Sequence, residues 1–306
     1  MATALEKLLK TFPFCEIQQV TEDGQEMTFF PKTYCKVNST SGAGRQIIFS
    51  DKKKDSSYKL MTAFYHKGVE CENGILHSRY IASQGSDGKP ESKSSATSIW
   101  GSIPYTDIKT KAELRGSAWG PLNIWDYHYR GLLMLLETLA KGYTSADVQT
   151  AIGGADGSMG ITHFGITNIW GGTDKGFWIY GIDTYNGAID GVTISNTNLH
   201  IVDRNGVRRD TGLARSGSTY GYPAEFETKA VTDQYDLNEL LIGKNLNNGQ
   251  PNASNGSCGD YQNLSGGCAF GTGWSSSNTH CGPFCLYNSG PSNTGAALGF
   301  ALRKTV

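Results

Sequence analysis

The chain has 306 residues, enough to bury a substantial core, with 39 Gly, 15 Tyr, 6 Trp and a formal net charge of -1. The aromatic content argues against disorder, and glycine with aromatics points to loop-rich β structure. The balanced charge argues against a nucleic-acid partner, and no apolar run reaches the roughly 18 residues of a membrane span, so no membrane insertion is expected.

The opening "MATALEKLLKTFPF" carries Glu6, Lys7 and Lys10 among its apolar residues and no cleavage site. It does not read as a signal peptide, so synthesis in a cytosol is expected. Two strands follow in a β-rich N-terminal segment, residues 1–58. One lies in "EMTFFPKTYCKV" (26–37), with Pro31 assigning part of it to a sheet edge; the other is "RQIIFS" (45–50). The most basic patch, "DKKKDSSYK" (51–59), is diluted by Asp51 and Asp55 and reads as a solvated turn. Next come "KLMTAFYHKG" (59–68), a turn at "CENG" (71–74), "ILHSRYIAS" (75–83) and a polar surface loop over 84–98.

The clearest helix is 124–141, where Leu132, Leu133, Leu135, Leu136 and Leu139 form an apolar stripe. Asn123 and Asp126 stand in capping positions, and Gly142 ends the helix. A short helix is predicted over 144–152. The chain then turns to strands at 165–172, 176–187, 191–198 and 199–212, read as a β-meander with a hairpin at "RNG" (204–206). One helical turn is expected within 233–243. Strand-like pieces at 283–286 and 298–302 close the chain. Strict alternation would put Phe284 and Cys285 on opposite faces, and Phe300 and Leu302 on one.

The seven cysteines, an odd number without a secretion signal, read mostly as free thiols. A Cys258–Cys268 disulfide and a zinc site drawn from Cys258, Cys268, His280, Cys281 and Cys285, of which only the Cys281/Cys285 pair has zinc-like spacing, are the alternatives. Trp170 and Trp178 are expected in the core, and His66, His77, His128, His163 and His200 in structural roles.

The order of these pieces resembles the C-type lectin fold of phage tail proteins and of relatives of the formylglycine-generating enzyme. The resemblance is carried by "AFYHKGVECENGILHSRYIAS", by the helix followed by "GYTSADVQTAIGG", by "GITNIWGG…GFWIYGID" and by "GTGWSSSNTHCGPFCLYNSGPSNTGAALGFAL". The Arg of the terminal "GFR" pattern is replaced here by Ala301. It implies an α+β, β-rich and loop-rich C-type lectin fold with few helices over residues 59–306, preceded by the segment 1–58. The last segment resembles the variable region of proteins diversified by diversity-generating retroelements, here about 271–300.

That segment is rich in Gly, Ser, Asn and Thr, and no Asp, Glu, Lys or Arg occurs from Tyr261 through Leu302. Loops of this composition on a rigid scaffold suit adaptable recognition of a neutral surface. The expected ligand contacts are Trp274, Ser275, Ser276, Asn278, Thr279, His280, Tyr287, Asn288, Ser289, Asn293 and Thr294. The implied function is non-catalytic receptor binding: a viral or prophage host-attachment protein on a virion surface, or otherwise a cell-surface protein, with hypervariable loops. The implied partner is a host-cell surface protein or glycan, alongside other virion proteins. No catalytic residue and no cofactor are expected. Calcium held by the oxygens of "DTYNGAIDG" (183–191) is a further metal alternative, although the spacing is not that of an EF-hand loop. Two other functional readings stand beside this one. A copper-dependent thiol oxidase of the formylglycine-generating type would need a cysteine pair near 274–280, where the chain reads "WSSSNTH". A structural virion protein would use the domain only for packing.

Overall fold

The structure is a computed structural model. It describes residues 2–39, 45–144, 151, 161–170, 176–195, 197–214, 220–227, 232–247, 262–263, 267–271 and 282–306. The protein is β-rich with few helices. A short helix α1 (Ala4–Leu8) precedes the strands β1 (Gln18–Glu22), β2 (Gln25–Pro31), β3 (Tyr34–Ser39), β4 (Arg45–Ser50) and β5 (Gly74–Ser78). Helix α2 (Ile108–Glu113), strand β6 (Trp119–Pro121) and helix α3 (Ile124–Ala140) follow. The second half supplies β7 (Gly176–Asp183), β8 (Asn198–Val202), β9 (Arg208–Ala214), β10 (Cys268–Gly271), β11 (Tyr287–Ser289), β12 (Leu298–Phe300) and β13 (Leu302–Thr305).

The first sheet runs β1-β2-β5-β13-β6. It joins the N-terminal segment, the middle of the chain and its last strand. Phe14, Phe30 and Cys35 share one core cluster with Leu122, Ile179 and Phe284. The boundary drawn at residue 58 therefore does not separate two cores. Pro31 is not on an edge strand either. It closes β2, which lies between β1 and β5, and pairs with Gly74 at the end of the ladder, where a missing donor costs little.

The second sheet runs β9-β8-β7-β10-β11, with β12 parallel to β7. Strand β7 is buried at every residue, as a strand covered on both faces must be. Phe177 and Ile179 face one core cluster, and Trp178 and Tyr180 the other. Ile182 returns to the first cluster, out of step with simple alternation. The cause is an irregularity of register against β10 between Trp178 and Asp183, where Gly181 adopts φ 84. One extra residue there moves the following side chains to the opposite face.

Helix α3 has the predicted cap. The Asn123 side chain accepts from the Trp125 and Asp126 amides, and Asp126 accepts from the Asn123 amide at 3.0 Å. Asp126 also lies 3.0 Å from Arg303 Nε of β13 and 3.4 Å from His77 of β5. One carboxylate thus ends a helix and ties it to two strands of the first sheet. The leucine stripe differs from expectation: Leu132 and Leu133 are buried, Leu135 and Leu136 half-buried, and Leu139 is 51% exposed. The first half of the helix is buried at every residue from Ile124 to Met134, and its second half emerges from the core.

The hairpin at 204–206 forms between β8 and β9, with Gly206 at φ 76. Buried Asp203 shapes it by accepting from the Asn205 and Val207 amides at 2.8 and 2.9 Å. The helical turn expected within 233–243 spans Leu237–Glu239. The helix predicted at 144–152 lies largely outside the described residues. Among the described residues, no helix is long and apolar enough to cross a membrane.

Candidate functional site

The two ends of the segment 271–300 are seated on one strand. Gly271, the last residue of β10, pairs with Phe177 of β7. Leu298, the first residue of β12, pairs with the adjacent Gly176 on the opposite edge of β7. Both ends of the segment thus sit at the same end of a fully buried strand. After Phe300 the side chains alternate as expected: Phe300 and Leu302 belong to one core cluster and Ala301 to the other.

Residues 283–286 are not a strand. They form a buried turn ending in an isolated bridge at Leu286, and the strand begins only at Tyr287. Phe284, Cys285 and Leu286 are all 0% exposed, so alternation does not sort them. The turn is held by backbone acceptors and a steric notch. The Tyr127 hydroxyl lies 2.8 Å from the Gly282 carbonyl oxygen and 3.1 Å from that of Cys285. Buried Gln262 accepts from the Gly243 amide and donates to the Leu241 and Phe284 carbonyls. Phe284 packs over Gly131 of α3, where any Cβ would stand 2.5 Å from its ring.

Five of the expected contact residues are described, and they do not share one role. Tyr287, Asn288 and Ser289 are strand residues rather than loop residues. They pair with Phe270, Ala269 and Cys268, because the sheet continues past β10 by one more antiparallel strand. Each is half-buried, and Tyr287 packs on the second core cluster. Asn293 braces its own turn, donating to Ser289 Oγ at 2.7 Å and accepting from the Gly295 amide at 3.1 Å. Thr294 is exposed. The loop carrying both leans on residues 101–105: Tyr105 N donates to Pro291 O, and Ser102 N to Gly295 O. Trp274, Ser275, Ser276, Asn278, Thr279 and His280 lie outside the described residues.

The remaining expectations meet specific partners. Trp170 and Trp178 are buried. His77 is fully buried, and burial pushes its pKa down to about 4 against the opposing pull of Asp126. His128 is also fully buried, its Nδ1 3.1 Å from the Ile124 carbonyl. Cys15, Cys35, Cys71 and Cys285 are free, and the last three are buried. Burial raises the Cys71 thiol to about 11 and lifts that of Cys35 as well. The zinc and disulfide alternatives involve Cys258, His280 and Cys281, which are not among the described residues.

The stretch 183–191 does not fit a calcium ion. Buried Arg208 reaches the carboxylates of both Asp183 and Asp190, the latter at 2.8 Å. The Tyr180 hydroxyl donates to Asp190 as well. A guanidinium thus holds the oxygens a cation would need. Among the described residues, no group of three His, Cys, Asp or Glu side chains is arranged to hold a metal.

Gly131, Gln262 and Tyr127, which fix the middle of the segment, were not singled out in the sequence. Gly131 carried a signal: a glycine inside an apolar helix costs about 1 kcal/mol and calls for a packing reason. The sequence matches no protein-family model and no curated protein.

Proposed function

We propose that the protein is a non-catalytic binding protein of C-type-lectin type, whose segment 271–300 forms a changeable recognition face on a fixed frame. The observation that carries this reading is the pairing of Gly271 and Leu298 with neighbouring residues of β7. A segment held at both ends by one buried strand, and pinned at its middle by Tyr127 and Gly131, can vary between the pins at little cost to the core. The segment lacks charged residues, so it recognises through hydroxyls, amides and aromatic rings. Its partner is an uncharged glycan or a protein surface on a host cell. The sequence resemblance supports a viral or prophage attachment role, with diversification by a retroelement.

The test is deep sequencing of the 3′ end of the gene across its source population. Substitutions confined to adenines of codons from about 272 to 297, with an invariant near-copy in adjacent DNA, are the expected result. A uniform 3′ end would remove diversification, and a glycan and cell-binding screen with no partner would remove the binding role.

A further inference from the structure

Arg130 of helix α3 is a buried charge without a counter-charge. It is 2% exposed, and among the described residues no carboxylate lies within ion-pair distance of it. Asp126, one turn earlier on α3, is held instead by Arg303 and His77. Two contacts fix the Arg130 guanidinium. Nη2 donates to the Ile169 carbonyl at 3.1 Å, and the group lies 5.8 Å from the centre of the Tyr127 ring. Neither contact neutralises the charge. Nε is buried and has no hydrogen-bond partner among the described residues. Burial lowers the Arg130 pKa to about 10, which still leaves it protonated at neutral pH. Buried charges are normally paired, and an orphaned buried donor calls for an ion or a water beside it.

The guanidinium reaches a small cavity. Arg130 and its acceptor residue Ile169 both line a recess of ≈ 10 Å³, together with Ser78 of β5, Ile166, Phe177 of β7 and Ala301. That volume holds roughly one water-sized occupant. Ser78 is itself buried and supplies a second donor. Its Oγ accepts from the Leu302 amide at 2.9 Å, and its own proton has no acceptor among the described residues. The apolar walls strengthen the field of the guanidinium inside the cavity.

The cavity also has an entrance. Tyr80, Ile81, Thr167 and Asn168 line both it and a wider recess of ≈ 140 Å³. Exposed Thr97 and Ser98 form part of the wider recess.

We propose that this cavity is a binding site for one small monovalent anion of the halide class, held by Arg130 Nε and the Ser78 hydroxyl. A water molecule would satisfy the hydrogen bonds and leave the charge unpaired, whereas a halide ion does both. Polyatomic anions such as phosphate exceed the volume. The site lies outside the segment 271–300 and does not rest on the recognition reading.

The test uses the full chain and two readouts. Denaturant unfolding is followed as chloride replaces gluconate at constant ionic strength. Chloride at ten times its Kd should lower the unfolding constant about tenfold, and bromide should replace it. Crystals soaked in bromide should show an anomalous peak within hydrogen-bonding reach of Arg130 Nε. Arg130→Met, which removes the charge and keeps much of the side-chain length, should abolish the chloride dependence. Where that variant does not fold, the bromide peak in the parent decides. Stability indifferent to chloride, a cavity holding only water in bromide, or an unchanged chloride response in folded Arg130→Met would each overturn the proposal.

Discussion

Phe284 occupies the notch that Gly131 leaves in helix α3: a Cβ at 131 would stand 2.5 Å from its Cε1 and 2.8 Å from the Pro283 carbonyl oxygen. Alanine would improve helix propensity by about 1 kcal/mol. The clash is partly with backbone, which cannot swing away, and overpacking of this kind costs about 1–3 kcal/mol. Gly131→Ala is therefore expected to lower stability in urea despite its better propensity. Phe284→Ala should cost about 3–5 kcal/mol by leaving a cavity. A Gly131→Ala variant more stable than the parent would show that the turn at 282–286 is not seated on this helix.

The expected contact residues should divide into two groups by stability. If Ser275, Ser276, Asn278 and Thr279 belong to the proposed recognition face, alanine at each should move the unfolding free energy by no more than about 0.5 kcal/mol. Asn293→Ala removes two hydrogen bonds of its turn and should cost about 1 kcal/mol. Tyr287→Ala removes a ring packed on the second cluster and should cost more than Asn293→Ala. Thermal melts of the six variants check this. Equal effects in both groups would contradict the division between frame and face.

Glu239 gives the protein a stability term that weakens as pH rises. Burial lifts its folded-state pKa to about 8, well above the ordinary 4.5. The neutral form is favoured in the folded protein, so its contribution is full below about pH 4.5 and is lost as pH climbs towards 8. The limiting slope is about 1.4 kcal/mol per pH unit. Glu239→Gln, which stays neutral, should thus become more stable than the parent as pH goes from 5 to 8. His77 acts in the opposite sense: its pKa is depressed to about 4, so stability is lost as pH falls from 6.5 towards 4. Urea titrations of parent and Glu239→Gln across this range measure the difference, and parallel curves would rule out the Glu239 effect.

Arg208 neutralises two carboxylates, and Asp183 is buried entirely with it. Arg208→Met should cost about 3–5 kcal/mol because a buried charge is left unpaired. Adding Asp183→Asn should recover part of that loss, because the stranded charge is then gone. Denaturant unfolding of the single and double variants decides the point. A loss below about 1 kcal/mol for the single variant would mean that water reaches Asp183.

Features encoded within a few residues were legible in the sequence. The cap of α3 needs only Asn123 and Asp126 three positions apart, and the turn at 204–206 needs only Asn205 followed by Gly206. The alternation of Phe300, Ala301 and Leu302 between two clusters follows from the two-residue period of a strand. The tertiary structure alone decided what depends on distant partners. The stretch 283–286 has strand-like residues, yet Gly131 and Tyr127, far away in sequence, fold it into a turn. Pro31 lies inside a five-stranded sheet because β5 arrives from residues 74–78 to cover its strand. Lys109 and Arg204 line one cleft only because helix α2 and the 203–206 hairpin converge there. Local periods and caps are written in consecutive residues, whereas pairing and charge balance depend on which remote segment comes to lie alongside.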